Sequence, residues 1–166
     1  MTNDIAALEG EQSTGEQSTE ESSDSKRPDV YELDSHGIDT EQLSREIVQV
    51  MWDMKALNPV AIDLRGRVSY TDFLIVCTGT SERHVRALGK NVEKEMRNAG
   101  WDPISIEGVE TGRWAVLDFG DVVVHVFNGF ERDEYDLEGM WVDADRLEFE
   151  DAPEELYGHF QADRFE

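Results

Sequence analysis

Cysteine, lysine and long apolar stretches are all scarce in this chain, and each scarcity removes a class of function. The lone cysteine among 166 residues, Cys77, cannot close an internal disulfide, which sets aside the stapled secreted scaffolds. It falls in an apolar stretch, where it reads as a small buried hydrophobe. The longest unbroken apolar run, 73–77, and shorter ones such as 122–124 are far below the ~20 residues of a membrane-spanning helix. The start, Met1-Thr-Asn-Asp, has no basic and apolar leader pattern. These features point to the cytoplasm. Acidic residues outnumber basic ones by 38 to 15, for a net charge of −23. By segment the balance is −8 over residues 1–38, −9 over 39–144 and −6 over 145–166, so the whole surface is acidic. Nucleic-acid binding relies on Lys and Arg releasing counterions from phosphates, so direct readout of RNA or DNA is not expected and a basic protein fits better. Adaptation to high salt explains the charge equally well and is compatible with an acidic docking surface.

Metal and catalytic signatures are thin as well. His36, His84, His125 and His159 show no i, i+4 or Cys-paired spacing that suggests zinc. Asp143-Ala-Asp145 follows a predicted helix, whereas acids one residue apart point the same way only on a strand. No cofactor, no metal and no enzymatic activity are expected, because a base without a nucleophile or metal beside it performs no chemistry. Thr78-Gly79-Thr80-Ser81 lies between a strand and a helix start, where backbone N–H groups can hold a phosphate. It lacks the glycine spacing and lysine of a P-loop, and an N-cap serine preceded by glycine needs no ligand.

What is present reads as one folded region between acidic flanks. Residues 1–38, rich in Glu, Ser, Thr, Gln and Gly, bury too little to offset their ordering entropy and read as a disordered N-terminal segment. Asp39 or Thr40 starts a helix running to about Leu57, with Leu43, Ile47, Val50, Met51 and Met54 on one stripe. Strands follow at 60–64 and 72–77, then a helix over about 81–99 that buries Val85, Leu88, Val92 and Met96. A short strand at 104–107, the hairpin 114–119 and 122–126, and a last helix over about 131–141 complete the folded region 39–144. The tail 145–166 keeps Leu147, Phe149, Leu156, Tyr157 and Phe160 among acids and reads as docking weakly or staying loose. The order predicts an α/β fold with a mixed sheet of about five strands flanked by helices.

The hairpin carries the most information. Gly120-Asp121 suits a primed two-residue turn, because those turns need positive φ. The register then places Phe119 with Val122, Leu117 with Val124 and Ala115 with Val126 on one face. On the other face Asp118 meets Val123, Val116 meets His125 and Trp114 meets Phe127. That second face is mostly apolar yet holds three groups with polar atoms, so it is expected to be covered. In the last helix, Tyr135, Leu137 and Trp141 read as core residues facing the sheet.

Tyr70-Thr-Asp-Phe, Cys77-Thr-Gly-Thr-Ser-Glu-Arg-His84, Glu107-Gly108, the hairpin Trp114 to Val126 and Tyr135-Asp-Leu-Glu-Gly-Met-Trp141 together resemble the ribosomal silencing factor family, also called Iojap-like. The resemblance covers roughly residues 40–144, with the motifs in the family's order and spacing. It implies a fold related to nucleotidyltransferases that has lost their catalytic acids. It also implies a protein, homodimeric when free, that binds the large ribosomal subunit through its fourteenth protein. Seated there, it would block joining of the small subunit and lower translation when nutrients are scarce.

Trp114, Val116 and Asp118 share a face by strand alternation, and the resemblance implies that matching positions touch the ribosomal protein. Trp114 is the aromatic anchor of this reading and Asp118 the acceptor for a Lys or Arg. Asp72 adds to the negative field, with His84 and Tyr135 at the rim. The acidic flanks depart from the family pattern and would weaken approach to a negatively charged ribosome. A role in large-subunit assembly is an alternative. A more distant one is a nucleotidyltransferase using the turn 79–81 and Asp63.

Overall fold

The computed structural model describes residues 39–153. The N-terminal segment 1–38 and the tail residues Leu156, Tyr157 and Phe160 lie outside the described residues. Helix α1 spans Thr40–Asp53. Asp39 caps it by accepting the Gln42 N–H at 2.9 Å, and Leu43, Ile47, Val48, Met51 and Trp52 form its buried stripe. The helix stops short of the predicted Leu57. Lys55 and Asn58 take left-handed backbone, with φ of 59° and 46°, which turns the chain directly into strand β1, Leu57–Asp63. Pro59 therefore sits within β1, where the register shifts between Leu57 and Val60, and an edge strand tolerates the missing N–H.

Strand β2, Phe73–Gly79, is buried at every position, as a central strand should be. Helix α2, Glu82–Asn98, is capped by Ser81 and buries Val85, Leu88, Val92 and Met96. Strands β3 (Ser105–Glu107), β4 (Trp114–Asp118) and β5 (Val122–Asn128) follow. The sheet order is β1-β2-β5-β4-β3. The β2–β5 pair is parallel and the others antiparallel, which makes the mixed five-stranded α/β sheet that the element order predicts. The β4–β5 register matches the sequence reading pair for pair, from Trp114 opposite Phe127 to Asp118 opposite Val123. Gly120 at φ 90° takes the positive-φ position of the turn, a position that favours glycine.

Two clusters pack on the sheet. The face of Phe73, Ile75, Cys77, Ala115, Leu117, Val122, Val124 and Val126 packs with buried residues of α1 and α2. Within it the Cys77 thiol is pushed up to about 12 by burial, so it behaves as an inert small hydrophobe. The other face gathers Ile62, Leu64, Leu74, Val76 and Phe127 with Ala144, Leu137 and Trp141. Leu137 and Trp141 belong to a broken element. Helix α3 covers Gly129–Tyr135, Asp136 turns left-handed at φ 38°, and a 3₁₀ turn runs over Leu137–Trp141. The single helix predicted for 131–141 is thus two pieces. Leu137 and Trp141 are partly buried as read, but Tyr135 is 51% exposed, contrary to its reading as core.

The start of the tail is built into the fold. The Asp63 N–H donates to the Asp145 carbonyl at 2.8 Å and the Leu147 N–H to the Ala61 carbonyl at 2.9 Å, extending the β1 edge through the Ile62–Arg146 bridge. Phe149 meets Trp52 edge to face at 5.2 Å while the Arg45 guanidinium lies over its ring. Phe149→Ala is expected to destabilise the fold by ~1–2 kcal/mol, since a partly buried ring pair is lost. A urea midpoint equal to that of the unmodified chain would show the contact to be idle.

Candidate functional site

The second sheet face is covered unevenly. Leu137, Trp141 and Ala144 pack with the β1 and β2 residues Ile62, Leu64, Leu74 and Val76. Toward β4 the cover thins, and Trp114, Val116, Asp118, Val123 and His125 are only half-buried. The expectation of a covered face therefore holds over β1 and β2 and gives way along the hairpin.

Trp114 is the hub of an aromatic group. Its ring stacks on Phe127 at 5.0 Å, lies 4.6 Å from Tyr135 at a tilt of 40°, and lies 5.8 Å from His125. The indole N–H donates to His125 Nδ1 at 3.0 Å. An indole has a donor and no acceptor, so this bond requires a neutral imidazole with its proton on Nε2. Burial acts in the same direction and brings the His125 pKa down to about 4. The unfolded chain takes up a proton near 6.5 while the folded chain resists it until about 4. Stability is therefore undiminished above pH 6.5 and falls as pH drops through that window, by on the order of 2–3 kcal/mol. His125→Gln should flatten this part of the profile. Urea denaturation of both proteins at pH 4.5 and 7 checks it, and parallel pH profiles would contradict it.

The other candidate residues separate in space. Asp118 sits at the turn end of β4, where Oδ1 accepts the Gly120 N–H at 2.7 Å, about 13 Å along the strand from Trp114. Val116 lies between them. Asp72 is at the same end as Asp118, with its N–H donating to the Asp121 carbonyl and Oδ2 accepting from the Thr40 hydroxyl at 2.9 Å. His84 joins neither group. Its Nδ1 accepts the Thr80 N–H at 3.0 Å and its Nε2 faces the Met54 carbonyl at 2.8 Å, pinning the end of α1 to the start of α2. The face thus has Trp114 and Tyr135 in contact at one end and the Asp118 carboxylate at the other, while the Asp72 carboxylate is held by α1.

Two further residues were hidden from sequence reasoning. Arg132, buried among the charged residues of α3, binds the Glu138 carboxylate through Nε and Nη2 at 2.9 and 3.0 Å. Its Nη1 reaches the Asn58 carbonyl and the Thr78 hydroxyl, each at 2.9 Å. It thereby ties α3 and the 3₁₀ turn to β1 and β2. Glu131, in the first turn of α3, lies beside Arg113, its Oε1 4.0 Å from the Arg113 Nε. The lone signal for either was its position near Tyr135 in an amphipathic stretch.

The strand-to-helix turn is internally occupied. The Thr80 N–H is taken by His84, the His84 N–H by the Ser81 hydroxyl and the Thr78 hydroxyl by Arg132, as capping requires. Asp63 pairs with Phe73 at the opposite end of β2 from Gly79, about 20 Å away. Burial raises its carboxyl, but hydrogen bonds from Arg65 hold it below its ordinary value. Among the described residues no three His, Cys, Asp or Glu side chains gather at metal-binding range, and no helix is long and apolar enough to cross a membrane.

Comparison with known proteins agrees with the α/β fold. The family described as "Ribosomal silencing factor during starvation" matches residues 38–164. A ribosomal silencing factor of Halalkalibacterium halodurans is 37% identical over 113 residues, which are 68% of this chain and 97% of that protein. A crystal structure from Chromobacterium violaceum superposes with a TM-score of 0.62 at 34% identity, covering 68% of this chain and 93% of the other. A mouse protein named for mitochondrial assembly of the ribosomal large subunit is 30% identical over 98 residues, 57% of this chain and 43% of that one.

Proposed function

Because the chain belongs to the ribosomal silencing factor family, we propose that it is a ribosome-associated repressor that acts by occupying a surface, without catalysis. It docks on the large subunit through the subunit's fourteenth protein and keeps the small subunit from joining, lowering translation when nutrients are limited. The observation that supports this is the half-open hairpin face, with an aromatic anchor at Trp114 on a chain of net charge −23. A half-buried aromatic anchor on a strongly acidic chain suits a basic protein, while the charge disfavours direct nucleic-acid readout. The free protein is a homodimer in this reading.

The test is to add the chain to purified large subunits and then supply small subunits. Stoichiometric co-sedimentation with fewer joined ribosomes is expected. Normal joining at saturating protein rejects the repressor. A second reading, an assembly factor for the large subunit, draws on the name of the mouse relative. It predicts that depletion leaves immature large subunits, whereas the repressor predicts mature subunits that join too freely.

A further inference from the structure

One carboxylate, a helical turn from Tyr135, is left short of partners. Among the described residues, Glu131 Oε2 is buried with no hydrogen-bond partner, and Oε1 lies 4.0 Å from the Arg113 Nε. An anionic acceptor held out of water without a donor is costly, and folded chains retain few of them. Glu131 lies one helical turn before Tyr135, so both side chains leave the same side of α3. Tyr135 in turn lies 4.6 Å from the half-buried indole of Trp114.

An aromatic pair with a carboxylate at its edge is the chemistry that holds a guanidinium. The ring faces attract the cation, and the carboxylate takes its N–H groups. We propose that Glu131, Trp114 and Tyr135 form a receptor for an arginine side chain of the basic protein that docks on this face. The inference rests on the docking reading above and adds a residue to the surface and a side chain to the partner. Arginine suits the receptor better than lysine, because its planar, weakly hydrated group stacks on rings and presents paired donors. On docking, the Glu131 carboxylate swings toward the incoming guanidinium, and Arg113, whose side chain is 71% exposed, is released to water.

The full chain titrated with arginine amide tests this directly, with the Trp114 indole N–H followed by NMR and assigned through Trp114→Phe. A saturable shift in the millimolar range is expected, at least about fivefold weaker with lysine amide or in Glu131→Gln. A Trp114 signal that does not move, or that moves equally in Glu131→Gln, overturns the receptor. On purified large subunits, Glu131→Gln and Tyr135→Leu should each weaken binding about tenfold with the thermal midpoint little changed. Tyr135→Phe should retain most of it. Unmodified chain that binds subunits no better than these variants also overturns the receptor. Failure of the unmodified chain to bind subunits at all rejects the docking reading instead, and the arginine amide titration still decides the receptor.

Discussion

Trp114→Ala is expected to weaken association with the large subunit by ~2 kcal/mol or more, roughly 30-fold. The side chain combines what an interface anchor needs. It is large, half-buried, and held in place by stacking on Phe127 and by the bond to His125. Those same contacts mean that truncation also costs the fold ~1–2 kcal/mol. Affinity must therefore be read beside the urea midpoint. Trp114→Phe separates the two effects, because it keeps a ring on Phe127 and loses the N–H. Full affinity in the alanine variant would remove Trp114 from the interface. Loss of binding in step with loss of the folded state would make it a core residue alone.

Arg132→Ala should have the largest effect on stability, a loss of ~3–5 kcal/mol. The guanidinium is 7% exposed as a residue and makes four hydrogen bonds, two to Glu138 and one each to Asn58 and Thr78. Its removal strips two bonds from a half-buried carboxylate and leaves a carbonyl and a hydroxyl at the strand tips without that donor. Arg132→Met, which keeps the volume, should recover little. The double change Arg132→Met with Glu138→Leu should recover more, because no charge then remains at the site. Urea denaturation of the three variants measures this, and a single variant within about 1 kcal/mol of the unmodified chain would show that the latch is not coupled to folding.

The hairpin was legible because every local signal agreed on it. Gly120-Asp121 admits few turns, and period-two alternation from Trp114 to Val126 leaves one register that keeps Ala115, Leu117 and Val124 inside. The helices α1 and α2 were legible for the same reason, a cap followed by an apolar stripe. Errors arose where tertiary contacts overruled a continuing pattern. Met54 and Leu57 prolong the stripe of α1, yet Lys55 and Asn58 turn left-handed with no glycine to announce it. Asp136 likewise breaks an amphipathic run and leaves Tyr135 outside while Leu137 goes in.

Trp114, Val116 and Asp118 were grouped by strand face, which fixes the side of the sheet but not the distance along it. Hence Trp114 and Asp118 proved to share a face at separate ends. The role of His84 depends on the Met54 carbonyl, 30 positions away, and that of Arg132 on Asn58, 74 positions away. No window of sequence contains such pairs.

The strand-like addition at 145–147 leaves the sheet with unequal borders. Along β1 the main-chain groups at Ala61 and Asp63 are already engaged by Leu147 and Asp145. A neighbour seeking to extend the ribbon there finds no vacancy. At the opposite border it meets β3, three residues long, with Ser105 and Glu107 exposed, and so short and hydrophilic a hem discourages sideways stacking of one molecule on the next. The molecule can therefore present greasy rings on a broad surface and still resist polymerising through its backbone.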